Sequence, residues 1–149
     1  MVRSNRQGNR LGLDGVALLS KALAAGFECL NELVLGGNHF GPAGAQALAP
    51  SLTPSVLPRL ANLRFWQNNL ADAGASAVAR ALSGSSSLTL LDLEECEIGP
   101  PGALALEAEL RNWPKLQTLD MRHNPCSDVH QRLLAASSFH LASHLHLVL

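Results

Sequence analysis

The stretch Leu60 to Ala75, LANLRFWQNNLADAGA, decides the fold, because four other segments of the chain repeat its order of leucines, asparagine, glycine and alanine. Leu63 and Phe65 alternate with Arg64 and Trp66, a period of two that sends the first pair to one face of a short strand and the second pair to the other. Asn68 follows where the chain must turn, and an amide there can satisfy turn backbone groups that would otherwise be buried without partners. Leu70 then returns to the core, Asp72 brings a carboxylate near a helix start, and Gly74-Ala75 opens a small-residue helix face continued by Val78 and Leu82. The unit is strand, pinned turn, helix.

Leu30-Asn-Glu-Leu33-Val-Leu35-Gly-Gly-Asn38, Leu60 to Asn68, Leu88-Thr-Leu-Leu91-Asp-Leu93-Glu-Glu-Cys96 and Leu116-Gln-Thr-Leu119-Asp-Met121-Arg-His-Asn124 match position for position, at spacings of 30, 28 and 28 residues. Helix starts follow three of the turns: Gly41-Pro-Ala-Gly44-Ala45, Ala71-Asp-Ala-Gly74-Ala75 and Gly99-Pro-Pro-Gly102-Ala103. Proline in a first helical turn loses no intrahelical hydrogen bond, so Pro42, Pro100 and Pro101 mark starts rather than breaks. A strand followed by a helix before the next identical unit favours parallel strands with helical crossovers.

The pattern resembles the leucine-rich repeat LxxLxLxx(N/C)xL, and the long repeat with its GxxGA helix start is similar to the ribonuclease-inhibitor-like subclass. The resemblance implies an α/β fold, a short horseshoe-shaped solenoid with a parallel inner sheet and outer helices, with about five helices and four or five strands on the repeat count. It also makes Cys96 an alternative to asparagine at the turn position, expected to be buried and inert.

One domain is expected over residues 1–149, with room for a core that removes roughly 70% of the unfolded surface. Residues 1–12 read as a degenerate N-terminal part: Asn9 to Gly15 match a turn and helix start, but Ser4 and Arg6 stand where core leucines belong, so the strand face is lost. Residues 138–149 read as a strand-like C-terminal cap, Leu145-His-Leu147-Val-Leu149, with no helix after it. Ends without polar caps would admit completion by another chain. The insert from Pro50 to Pro58 and the run Ser83 to Ser87 read as loops, where length varies cheaply.

The formal charge of −1, with both signs interspersed, gives no electrostatic case for nucleic acid. No apolar run approaches the roughly 18 to 20 residues a membrane span requires. Cys29, Cys96 and Cys126 are odd in number and form no CxxC pair, which suits a reducing intracellular, cytoplasmic setting. Arg3, Arg6 and Arg10 without an acid leave an organelle address as the alternative.

The glycines recur with the repeat and open neither a GxxxxGK[ST] nor a GxGxxG run, so they read as places where helices approach closely rather than as a phosphate cradle. No GxSxG or HExxH is present, and Asp92, Glu94 and Asp120 read as a solvated face beside Arg64 and Arg122, so no enzyme and no cofactor is expected. His123, His130, His140, His144 and His146 cluster late, but the tail offers no cysteine or acid beside them, and no metal is expected.

Parallel strands in register place outward residues in rows: Val34, Arg64, Asp92, Asp120; beside them Gly36, Trp66, Glu94, Arg122; and at the strand exits Gly37, Gln67, Glu95, His123. Strands lie about 4.8 Å apart, so Trp66 is expected to stand exposed with open space over Gly36. Such a tryptophan among charges is either a contact anchor or a ring packed on its neighbours. Arg64 with Asp92 and Glu94 with Arg122 are expected cross-strand pairs. Trp113, before Pro114, reads as a lid over the core. The function expected is a protein-interaction module or scaffold subunit that binds a protein partner through Arg64, Trp66, Gln67, Asp92, Glu94, Asp120, Arg122 and His123. The alternatives are a regulator of a small GTPase, a role known in some repeat proteins of this subclass, and a structural subunit that uses its solenoid ends.

Overall fold

A computed structural model of the chain describes residues 2–5, 8–126 and 145–148. The strands are β1 (Val2–Asn5), β2 (Leu30–Val34), β3 (Asn62–Arg64), β4 (Leu90–Asp92), β5 (Thr118–Asp120) and β6 (His146–Val148), and they form one parallel sheet in chain order. Helices α1 (Gly12–Ala24), α2 (Gly41–Leu48), α3 (Ala71–Ala81) and α4 (Pro100–Glu109) cross between them and stack each on the next. Among the described residues this makes six strands and four α-helices. The place of a fifth helix, after Asn124, lies outside them, as do His130, His140 and His144.

The register is the one the leucines dictate. Leu33, Leu63, Leu91, Leu119 and Leu147 stand across from one another, and the first four are fully buried. A leucine or phenylalanine removed from water this completely contributes about 1.5–3 kcal/mol, and a row of them fixes register because a slip of one residue would turn every one outward. Leu35, Phe65, Leu93 and Met121 form the next buried row. Phe40 meets Phe65 edge-on, ring centroids 5.8 Å apart.

The first copy keeps a strand where loss of the leucines argued against one: Ser4 pairs with Leu33 and Asn5 with Val34. The ladder is made by main-chain groups, so its pairing survives a change of side chain that would ruin the core face. At the other end Leu147, and not Leu145, falls opposite Leu119.

The helix starts carry no cap from their own N-cap side chains. The neighbouring repeat supplies the acceptors instead. Gly12, Gly41 and Ala71 donate their amide hydrogens to the carbonyls of Asn38, Asn68 and Cys96. At α4, Asp72 Oδ1 accepts from the Gly99 and Gly102 amides at 2.8 and 2.9 Å. The carboxylate therefore lies in the first turn of α3 but caps the helix of the next repeat. A Cβ on Gly102 would lie 2.7 Å from Asp72 Oδ1 and 2.9 Å from its Cα, which is why the helix start keeps glycine there. Asp72→Ala is expected to cost about 1–2 kcal/mol in denaturant unfolding and to speed hydrogen exchange at the Gly102 amide; unchanged exchange there would contradict the inter-repeat cap.

Candidate functional site

Main-chain pairing continues past the strands into the loops that leave them. Leu35, Phe65 and Leu93 donate to Arg64, Asp92 and Asp120, and Gly37, Gln67 and Glu95 donate to Trp66, Glu94 and Arg122. Beneath this, Asn38, Asn68, Cys96 and Asn124 form a buried column. The Asn124 amide donates to the Leu93 and Met121 carbonyls and its Oδ1 accepts from Cys96 and Ile98 N–H. Cys96 Sγ reaches the Phe65 carbonyl at 3.2 Å, and burial pushes its thiol up to about 12. It is a ladder rung and not a nucleophile, as its place in the repeat implies.

The column holds two rows of the loops in the left-handed backbone region, one through Gly37, Gln67, Glu95 and His123 and one through Arg10, His39, Asn69 and Glu97, all exposed except the half-buried Gly37. Side chains in these rows link successive repeats. Gln67 Nε2 donates to Glu95 Oε2 at 2.8 Å, and Asn69 Nδ2 donates to Glu97 Oε1.

On the sheet face both expected cross-strand pairs form. Arg64 Nη1 lies 3.5 Å from Asp92 Oδ2, and Arg122 Nη2 lies 3.0 Å from Glu94 Oε2. Arg122 also forks onto Asp120, Nε at 3.0 Å from Oδ1 and Nη2 at 2.7 Å from Oδ2; that hydrogen bond, then the charge of Asp120, holds its proton more firmly than usual. The carboxylates differ from the expected solvated face. Asp92 is 6% exposed and Asp120 8%, because the arginines lie over them and the Glu94 and Arg122 amides each take one oxygen. Burial raises the Asp92 carboxyl above its ordinary value, opposed by the Glu94 amide, with Asp120 adding to the rise. At these two positions the guanidiniums, rather than the acids they hold, are exposed on the face.

Carboxylate oxygens of Asp92, Glu94 and Asp120 lie within 4.8 Å of one another, a spacing that could hold a cation, but the Arg122 guanidinium already bridges Asp120 and Glu94. Glu94, Glu95 and His123 form a second such group at the loop rim. His146 is exposed on β6.

Trp66 is half-buried, and the space expected over Gly36 is filled by its own ring: a Cβ on Gly36 would overlap Cε2 and Nε1 of the indole. The ring also reaches Gly37, whose Cβ would meet Cζ3 at 3.5 Å. The remainder of the indole lines an open cleft of about 700 Å³ with Arg10, His39 and Gln67. A second cleft of about 450 Å³ follows along the loops, lined by Asn69, Glu95, Glu97 and His123, and it shares His39 and Gln67 with the first. Gly36→Ala is expected to swing the indole outward and cost about 1–2 kcal/mol; its emission should shift to the red, while the signal of buried Trp113 stays fixed. An unchanged spectrum would count against this resting place.

Of the expected contact residues, Arg64, Trp66, Glu94 and Arg122 gather on the sheet face, and Gln67 and His123 lie on the loop rim. Arg10, His39, Asn69, Glu95 and Glu97 were not among them. They are legible as the positions directly after Asn9 and the pinning side chains Asn38, Asn68 and Cys96, or directly before Cys96. Among the described residues no helix is long and apolar enough to cross a membrane.

Comparison with known proteins returns the Leucine Rich repeat family, matched at residues 28–49 and 84–106. The chain is also similar to the ribonuclease inhibitor of Sus scrofa, 33% identical over 98 residues, 65% of this chain and 21% of that protein. It thus spans about a fifth of the length of that curated relative.

Proposed function

We propose, from the premise that this chain is a leucine-rich repeat protein of the ribonuclease-inhibitor-like kind, that it is a protein-interaction module or scaffold subunit and not an enzyme. Its partner surface is the inner sheet face and the adjoining strand-exit loops. The observation that carries this reading is the posture of Trp66, seated on glycine on one side and open to a cleft on the other, on the same sheet face as the Arg64–Asp92 pair and the Arg122 fork. A rigid aromatic ring loses little entropy on contact, and tryptophan and arginine carry a disproportionate share of interface energy. The surrounding ion pairs are half-exposed and add little stability. They fix the positions of charges and so favour one partner over another. Three free cysteines, one of them exposed, suit a reducing, cytoplasmic setting.

The test is recovery of a protein partner from native extract by the whole chain, followed by titration. Trp66→Ala, with its circular dichroism unchanged, is expected to weaken binding by about 2 kcal/mol, roughly thirtyfold. Full affinity in the Trp66→Ala, Arg122→Ala double variant would refute the surface.

A further inference from the structure

The two clefts that share His39 and Gln67 make one groove running across the strand exits, and its ends differ in charge. At one end stands Arg10, exposed and without an ion-pair partner among the described residues. At the other stand Glu95 and Glu97, each held by a neutral amide from the preceding repeat, Gln67 and Asn69, so their position is fixed while their charge is not neutralised. Neither forms an ion pair among the described residues. Between the ends the wall is the indole of Trp66, and the floor beside it is Gly37 and Gly8, where no side chain stands in the way.

We infer that this groove takes an extended segment of a protein partner that carries an acidic side chain over Arg10, an apolar or aromatic side chain next to it on Trp66, and a lysine or arginine over Glu95 and Glu97. The inference rests on the partner-surface reading above and gives it a chemistry. Arg10 and Glu97 are three repeats apart along the row of left-handed residues, about 15 Å at the spacing of parallel strands. An extended chain rises about 3.3 Å per residue, so acid and base must be about four or five residues apart. A short segment is favoured over a folded face because the charges at the two ends are spaced for one chain; the main-chain ladder beneath is already paired, so selection falls to side chains.

The experiment uses the full chain and labelled octapeptides with an acid and a lysine five residues apart and a leucine beside the acid. Expected is binding about tenfold tighter than that of the same peptide with asparagine and glutamine in place of the charges, with a change in Trp66 emission. Arg10→Glu should weaken the matched peptide about three- to tenfold and restore binding to a peptide whose acid is exchanged for lysine. Glu95→Lys with Glu97→Lys should do the converse, and Lys115→Glu, on a helix-to-strand loop, should do nothing. Equal binding of charged and neutral peptides, no binding of either, or failure of the exchanged pairs to rescue would overturn the inference. A recovered partner lost with Trp66→Ala but indifferent to Arg10→Glu and Glu97→Lys would overturn the groove and leave the wider surface standing.

Discussion

Trp113→Ala is expected to lower stability by about 3–5 kcal/mol, the largest loss of any single truncation considered. The indole is fully buried in the turn that follows the short 3-10 segment Leu110–Asn112, and its Nε1–H donates to the Leu82 carbonyl at 2.9 Å. Leu82 closes α3, so one side chain ties the end of one repeat to the helix-to-strand return of the next. Truncation leaves a large cavity and a buried carbonyl without its donor. In a solenoid, each repeat is stabilised only by its neighbours. The loss therefore falls on one interface, and the denaturant transition should broaden as well as move. Trp113→Phe keeps most of the packing and is expected to cost only about 1 kcal/mol beyond the volume change. Chemical denaturation followed by circular dichroism measures both; a Trp113→Ala loss below about 1 kcal/mol would mean the indole is a surface flap and not a tie.

How far the sequence speaks follows from what each feature is made of. The register of Leu33, Leu63, Leu91 and Leu119 was readable because a side-chain period of two and a repeat of about 28 residues leave no other alignment. Strand β1 was not, because pairing by main-chain groups leaves no mark in side-chain polarity. The pairs Arg64–Asp92 and Glu94–Arg122 followed from adjacency in the rows. The burial of Asp92 and Asp120 did not, since it depends on where two long arginine side chains lie down. Trp66 was placed on the outer face, yet its ring conformation reversed the meaning of Gly36 from empty space to a seat. Asp72 is legible as an acid near a helix start, and it does lie in the first turn of α3; that it caps α4 is not, because sequence shows distance along the chain and the cap acts across the stack.

Asn68→Ala tests the feature on which fold and groove both depend. The amide Nδ2 donates to the carbonyls of Phe65 and Leu35 at 2.8 Å, and to that of Trp66 at 3.3 Å, while Oδ1 accepts from the Asn38 N–H at 3.0 Å. Truncation strands buried main-chain groups in two repeats at once, at about 1–3 kcal/mol for a group left unpaired. The expected loss is about 3 kcal/mol, the upper end of that range. Cys96→Ala at the equivalent rung should cost less, about 1 kcal/mol, because the sulfur makes longer and weaker contacts than the amide. Equal losses at the two positions, or none at Asn68, would remove the case for the ladder. Asn68 also lies between Gln67 and Asn69, both held with positive φ, a conformation that costs energy for side chains of this kind. Once the amide is gone, those two residues are expected to relax first and to release Glu95 and Glu97 from their donors. Peptide affinity should then fall in Asn68→Ala even under conditions where the chain remains folded, whereas Cys96→Ala should leave it nearly intact.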